Sequence, residues 1–134
     1  MGMRNGRRGT IATGVAAVAI LGALAVGPVA NAGTRTVVAR GTCSGESHWR
    51  LALVQDHGRI GLSFSVIEGV RGDPWRVRIL HNRHVIFRGL QVTHGEEGAF
   101  TIRLSTRNTP GPDLFRARAR NLQTDEVCRG RAAI

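Results

Sequence analysis

Few side chains in this sequence are spaced for chemistry. Gly45-Glu46-Ser47-His48, with Asp56-His57 further on, holds the serine, histidine and carboxylate of a nucleophilic hydrolase. In that chemistry the histidine takes the serine proton and the acid orients the histidine. Ser47 lies in no Gly-x-Ser-x-Gly elbow, and adjacency in sequence does not make a triad, so no catalytic residue is assigned. His81 and His84 flank one turn, and His94 lies with Glu96 and Glu97 in another. Imidazole and carboxylate ligands there would hold a divalent ion only if the two turns met, and the spacings of structural zinc sites are absent. Glu96-Glu97, or Glu68 with Asp73, are the carboxylate pairs on offer for glycosidic acid–base work, which needs an enclosed cleft rather than small exposed turns. The expectation is a non-catalytic chain without metal or cofactor.

The stronger pattern is electrostatic. From Asp113 to Asn121 an arginine stands at every second position, Arg116, Arg118 and Arg120, and Arg129 and Arg131 repeat the spacing near the C-terminus. In an extended strand alternate residues share one face. A guanidinium is permanently charged and forked, which suits carboxylate and phosphate groups. These five residues are the candidate binding surface, with an ordinary solvated strand face as the alternative. Beyond residue 32, sixteen arginines oppose nine carboxylates, a net charge of +7 with histidines neutral, and lysine is absent. Such a balance favours acidic polymers or anionic surfaces as partners. A GC-rich coding bias, which raises arginine, alanine and glycine together, would produce part of the same excess. Specific nucleic-acid binding is not expected: there is no tyrosine, and the alternation places both tryptophans inward, so no stacking platform forms.

The elements that must position these arginines are strands. Period-two alternation turns one apolar set inward in each of several runs: Trp49, Leu51 and Leu53; Ile60, Leu62, Phe64 and Val66; Trp75, Val77 and Ile79; Phe100, Ile102 and Leu104; Phe115, Ala117 and Ala119. Turn signals separate them at Asp56-His57-Gly58, Gly69 to Pro74, His81-Asn82-Arg83, His94 to Gly98 and Asn108 to Asp113. With Thr36 to Gly41 and Val85 to Leu90, this predicts an all-β, antiparallel two-sheet sandwich of about seven or eight short strands. In Val85 to Leu90 either Val85 and Phe87 or Ile86 point inward. A two-residue turn at Thr124-Asp125 sets Arg120 opposite Arg129, Arg118 opposite Arg131 and Cys128 opposite Asn121. Leu80, Leu90, Leu114 and Leu122 fall between inward positions; if contiguous, they would make an apolar patch for a protein partner.

Residues 1–32 read as a signal peptide: basic Arg4, Arg7 and Arg8, an apolar stretch from Ile11 to Val26, and Ala30-Asn31-Ala32 before the cut. A permanent membrane anchor is not expected, because Gly14, Gly22, Gly27 and Pro28 interrupt the stretch. Cleavage after Ala32 leaves residues 33–134, one secreted domain of 102 residues. Its two cysteines, Cys43 and Cys128, meet an oxidising compartment and are expected to bond.

The combination of Cys43-Ser44-Gly45 with Trp49-Arg50-Leu51, the strand around Phe64 and Val66, Trp75-Arg76-Val77, Arg116 to Ala119 and Glu126 to Gly130 resembles a group of small exported actinobacterial proteins of unassigned function. The likeness covers nearly all of residues 33–134 and implies a secreted, disulfide-closed β-sandwich with no catalytic residue. A looser likeness is to immunoglobulin-like domains, although Trp49 follows the first cysteine by only six residues. The expected role is binding of acidic envelope or extracellular polymer through the arginine face. The alternative is a protein–protein or inhibitor module using loops Gly69 to Pro74 and Arg107 to Asp113.

Overall fold

The computed structural model describes residues 33–134, so the expected signal segment, residues 1–32, lies outside the described residues. Eight strands follow one another: β1 (Arg35–Thr42), β2 (His48–Asp56), β3 (Arg59–Ile67), β4 (Pro74–His81), β5 (His84–Val92), β6 (Ala99–Arg107), β7 (Leu114–Asn121) and β8 (Val127–Ala133). They form two antiparallel four-stranded sheets, β1-β2-β3-β6 and β5-β4-β7-β8. This is the sandwich that the alternation predicts. A disulfide, Cys43–Cys128, ties the loop after β1 in one sheet to β8 in the other. The strand order is the chain's own, since β3 stays beside β2 in one sheet.

Leu51, Leu53, Ile60, Phe64, Val66, Trp75, Val77, Ile79 and Phe115 are wholly buried between the sheets, and Trp75 lies against Phe100 at 6.1 Å between ring centroids. Burying each such side chain stabilises the fold by about 1.5–3 kcal/mol. Trp49 is held flat by two glycines: a Cβ on Gly41 would lie 2.7 Å from the indole, and one on Gly130 3.0 Å from its other side. At both positions a Cβ would force the indole to shift, so glycine lets the ring lie where it does.

Two local irregularities answer what alternation alone leaves open. The register of β4 with β5 shifts between Ile79 and Leu80, which pair with Phe87 and Val85. Ile86 is the extra residue of this bulge, so Ile86 and Phe87 both pack on the core while Val85 is exposed. The β7–β8 hairpin corrects the expected register by two residues. Arg118 faces Arg129, Arg116 faces Arg131, Ala119 faces Cys128, and Arg120 faces Val127. The reason is a longer connection: the Asn121 N–H donates to the Glu126 carbonyl and the Asp125 N–H to the Asn121 carbonyl, while the Asn121 side-chain oxygen accepts from the Gln123 and Thr124 N–H groups. Four residues, Leu122 to Asp125, therefore span the turn, with Asp125 at φ 65°.

Candidate anion-binding face

The outer face of the β5-β4-β7-β8 sheet gathers half of the arginines that follow residue 32. Inward Trp75, Val77 and Ile79 turn Arg76 and Arg78 outward on β4, and past the bulge Arg88 points outward on β5. On β7, inward Phe115, Ala117 and Ala119 turn Arg116, Arg118 and Arg120 outward, and on β8 inward Cys128, Gly130 and Ala132 do the same for Arg129 and Arg131. All eight are exposed.

Register then aligns them. One row crosses the whole sheet, with Arg88 beside Arg78, Arg78 beside Arg118, and Arg118 beside Arg129. The next row on one side reads Leu90, Arg76, Arg120 and Val127; on the other it reads Val85, Leu80, Arg116 and Arg131. Neighbouring strands lie about 4.8 Å apart, and alternate residues about 6.8 Å apart along a strand. Like charges this close destabilise a sheet by a few tenths of a kcal/mol per opposed pair. Only Arg120 has a carboxylate partner on this face, Asp125 at 2.6 Å. The other seven make no ion pair among the described residues, and residues 1–32 contain no Asp or Glu. Between Arg78, Arg116, Arg118, Arg129 and Arg131 lies a shallow groove of about 310 Å³ floored by Leu80, Ala117 and Gly130.

Sequence reasoning finds five of these arginines and misses Arg76, Arg78 and Arg88 as members of the same surface. Their outward phase is visible in the alternation; the pairing of β4 with β7 is not. The four intervening leucines do not form one patch. Leu90 and Leu122 are exposed, Leu80 and Leu114 are half-buried, and the four-arginine row separates Leu90 from Leu80.

Charge is also sorted along the strands. Every carboxylate except Asp56 and Asp113 lies in the loops at the end where β1, β3, β5 and β7 finish. The Ser47 hydroxyl and N–H donate to Glu126 at 2.8 Å, and the Gly45 N–H donates to it at 3.1 Å. Glu68 accepts from the Trp75 indole N–H at 3.0 Å and from the Asn121 amide at 2.6 Å, and the same amide reaches Asp73 at 2.9 Å. Desolvation, followed by the neighbouring Asp73 and Glu126 carboxylates, holds the Glu68 carboxyl above its ordinary value, against the lowering effect of the Trp75 hydrogen bond. The opposite end carries Arg35, Arg59, Arg83 and Arg107.

The remaining chemical candidates are placed as follows. Ser47 is buried on Glu126, whereas Asp56 and His57 pair with each other at the other end, so these residues do not come together. The turn carrying His81 and His84 and the turn carrying His94, Glu96 and Glu97 also sit at opposite ends. Glu68 and Asp73 do come together, but around the buried Asn121, whose amide occupies both. His81 is not a surface residue: it is buried, stacked on Phe115 at 4.4 Å, and bonded through Nε2 to Asp113. Asp113 is wholly buried and also accepts the Thr109 hydroxyl at 2.6 Å and the Thr109 N–H at 3.2 Å. Desolvation alone would raise the Asp113 carboxyl; the donors Thr109 and His81 outweigh it and hold it below its ordinary value. This carboxylate pins the loop between β6 and β7.

No helix long and apolar enough to cross a membrane occurs among the described residues. No protein-family model matches the chain, and no curated protein or solved structure matches it either.

Proposed function

We propose that the chain is a secreted, non-catalytic binding protein that holds acidic envelope or extracellular polymer against its arginine face. The observation that carries this reading is the row Arg88–Arg78–Arg118–Arg129 with its flanking arginines, set side by side with only one carboxylate among them. A fold gains nothing from opposed like charges, whereas a polyanion crossing them releases its counterions and gains affinity with every guanidinium engaged. The strand ends, where exposed arginines and carboxylates are fewer and more spread out, offer no comparable row of opposed cations.

The test is retention of the purified protein on an immobilised polyanion, eluted by a salt gradient. Arg116→Ser with Arg118→Ser and Arg120→Ser should leave the β-sheet circular dichroism unchanged and abolish retention. Retention of a protein partner through high salt, with the triple variant behaving like the wild type, would make the arginines a solvated face. The apolar border formed by Leu90, Val92 and Leu122 around Pro74 would then be the surface of interest. Loops 69–74 and 107–113, the other places for a protein partner, lie at opposite ends of the strands.

A further inference from the structure

Resting on that reading, we infer that the opposed pairs Arg116–Arg131 and Arg118–Arg129 are a clamp for phosphomonoester groups, so that the polymer held is phosphate-bearing rather than a polycarboxylate. The register brings two forked cations to each point from two different strands, with Cβ atoms of directly opposed residues about 4.5–5.5 Å apart. A carboxylate has two oxygens in one plane, and one guanidinium fork engages both edge-on. The carboxylate's remaining lone pairs can accept from a second fork, but the single negative charge then faces two cations. A phosphomonoester presents three oxygens in tetrahedral array with a charge of about −1.5 to −2, so each of two forks engages its own oxygen and the charges balance.

The surroundings of the clamp favour this stoichiometry. Gly130 and Ala117 point inward, so nothing but backbone and Leu80 lies between the guanidiniums, and the groove of about 310 Å³ is open to a group of this size. Leu80 supplies an apolar floor, where charge-assisted hydrogen bonds strengthen as local water is displaced. Arg78 closes the groove from the β4 side. The other arginines are less suited. Arg120 is engaged by Asp125 and faces Val127, and Arg88 does not line the groove. Strand twist of about 20–25° per step rotates the outer columns away from a common plane. A flexible chain can follow that rotation better than a flat bilayer.

The experiment compares salt elution of the purified protein from phosphocellulose and from carboxymethyl cellulose matched for total charge. Two variants that each remove two arginines, Arg116→Thr with Arg131→Thr and Arg76→Thr with Arg88→Thr, are run beside it. The wild type should leave phosphocellulose at distinctly higher salt than carboxymethyl cellulose. Removing Arg116 and Arg131 takes away one of the two pairs and should clearly reduce that preference, whereas removing Arg76 and Arg88 should weaken retention on both resins and leave the preference unchanged. Equal elution from the two resins, or identical behaviour of the two variants, would overturn the clamp while leaving acidic-polymer binding intact. Co-sedimentation with anionic phospholipid vesicles without a preference between resins would overturn it in favour of a lipid surface. Failure to bind either resin at low salt would instead defeat the polymer reading itself.

Discussion

Replacing Arg118 with threonine should stabilise the protein, and that expectation probes the charged face more directly than any loss of binding. Arg118 stands at the centre of the row, with Arg78 directly opposite on β4 and Arg129 directly opposite on β8. Threonine brings a branched Cβ that a strand favours, so the substitution costs the strand nothing locally while it removes two opposed like-charge contacts. At a few tenths of a kcal/mol per pair, the gain is about 0.5–1 kcal/mol at low ionic strength. An unfolding entropy of about 2.1 cal/mol/K per residue over residues 33–134 amounts to about 0.2 kcal/mol/K. The melting temperature should therefore rise by about 2–5 °C. Screening length falls from about 30 Å at 0.01 M salt to about 3 Å at 1 M, so the gain should fade across that range. Differential scanning fluorimetry at the two salt concentrations measures both effects. Arg103→Thr on the other sheet is the control, because Arg103 faces neutral Ser63, and its melting temperature should hardly move. A fall in melting temperature for Arg118→Thr at low salt, or a rise that persists at 1 M, would refute the view that the arginines oppose folding.

Reduction of Cys43–Cys128, which are 85 residues apart, restores about 4.5 kcal/mol of unfolded-chain entropy and should lower the melting temperature by about 20 °C; an unchanged value would show that the bridge does not staple the fold. Asp113 has a lowered carboxyl pKa, so its contribution is fully present above the unfolded value near 3.8 and is lost as pH falls through the lower folded one. Asp113→Asn should be less stable than wild type at neutral pH, with the gap narrowing below about pH 4; a gap that stays constant on acidification would exclude a role for the charge. Gly130→Ala places a methyl against the Trp49 indole at 3.0 Å and should destabilise by about 1–3 kcal/mol, measured by urea unfolding; a neutral outcome would mean that the ring can slide.

What the chain reveals of itself before folding depends on range. The faces of β3, β4 and β7 are legible because alternation is a local property: Phe64, Trp75 and Phe115 lie inward as their spacing requires. Arg116, Arg118 and Arg120 are legible as one stripe for the same reason. That Arg78 lies beside Arg118 depends on two strands meeting from 40 positions apart, and no local pattern encodes it. The β7–β8 register turns on Asn121, whose side chain caps the following turn and lengthens it from two residues to four. The bulge at Leu80 hides in the same way, since Val85, Ile86 and Phe87 are apolar in succession and alternation is silent there. Asp113 and His81 look like turn residues because they flank turn-forming segments. Their burial becomes visible only when Thr109 and Phe115 supply the partners.

The sorting of charge along the strands makes the domain an electric dipole. Its negative pole lies in the loops around Glu68, Glu97 and Glu126, and its positive pole at Arg35, Arg59, Arg83 and Arg107. In the field of a polyanion such a body should turn its carboxylate pole away, with the Arg35, Arg59, Arg83 and Arg107 end leading and the arginine rows on the flank, an orientation that salt would weaken.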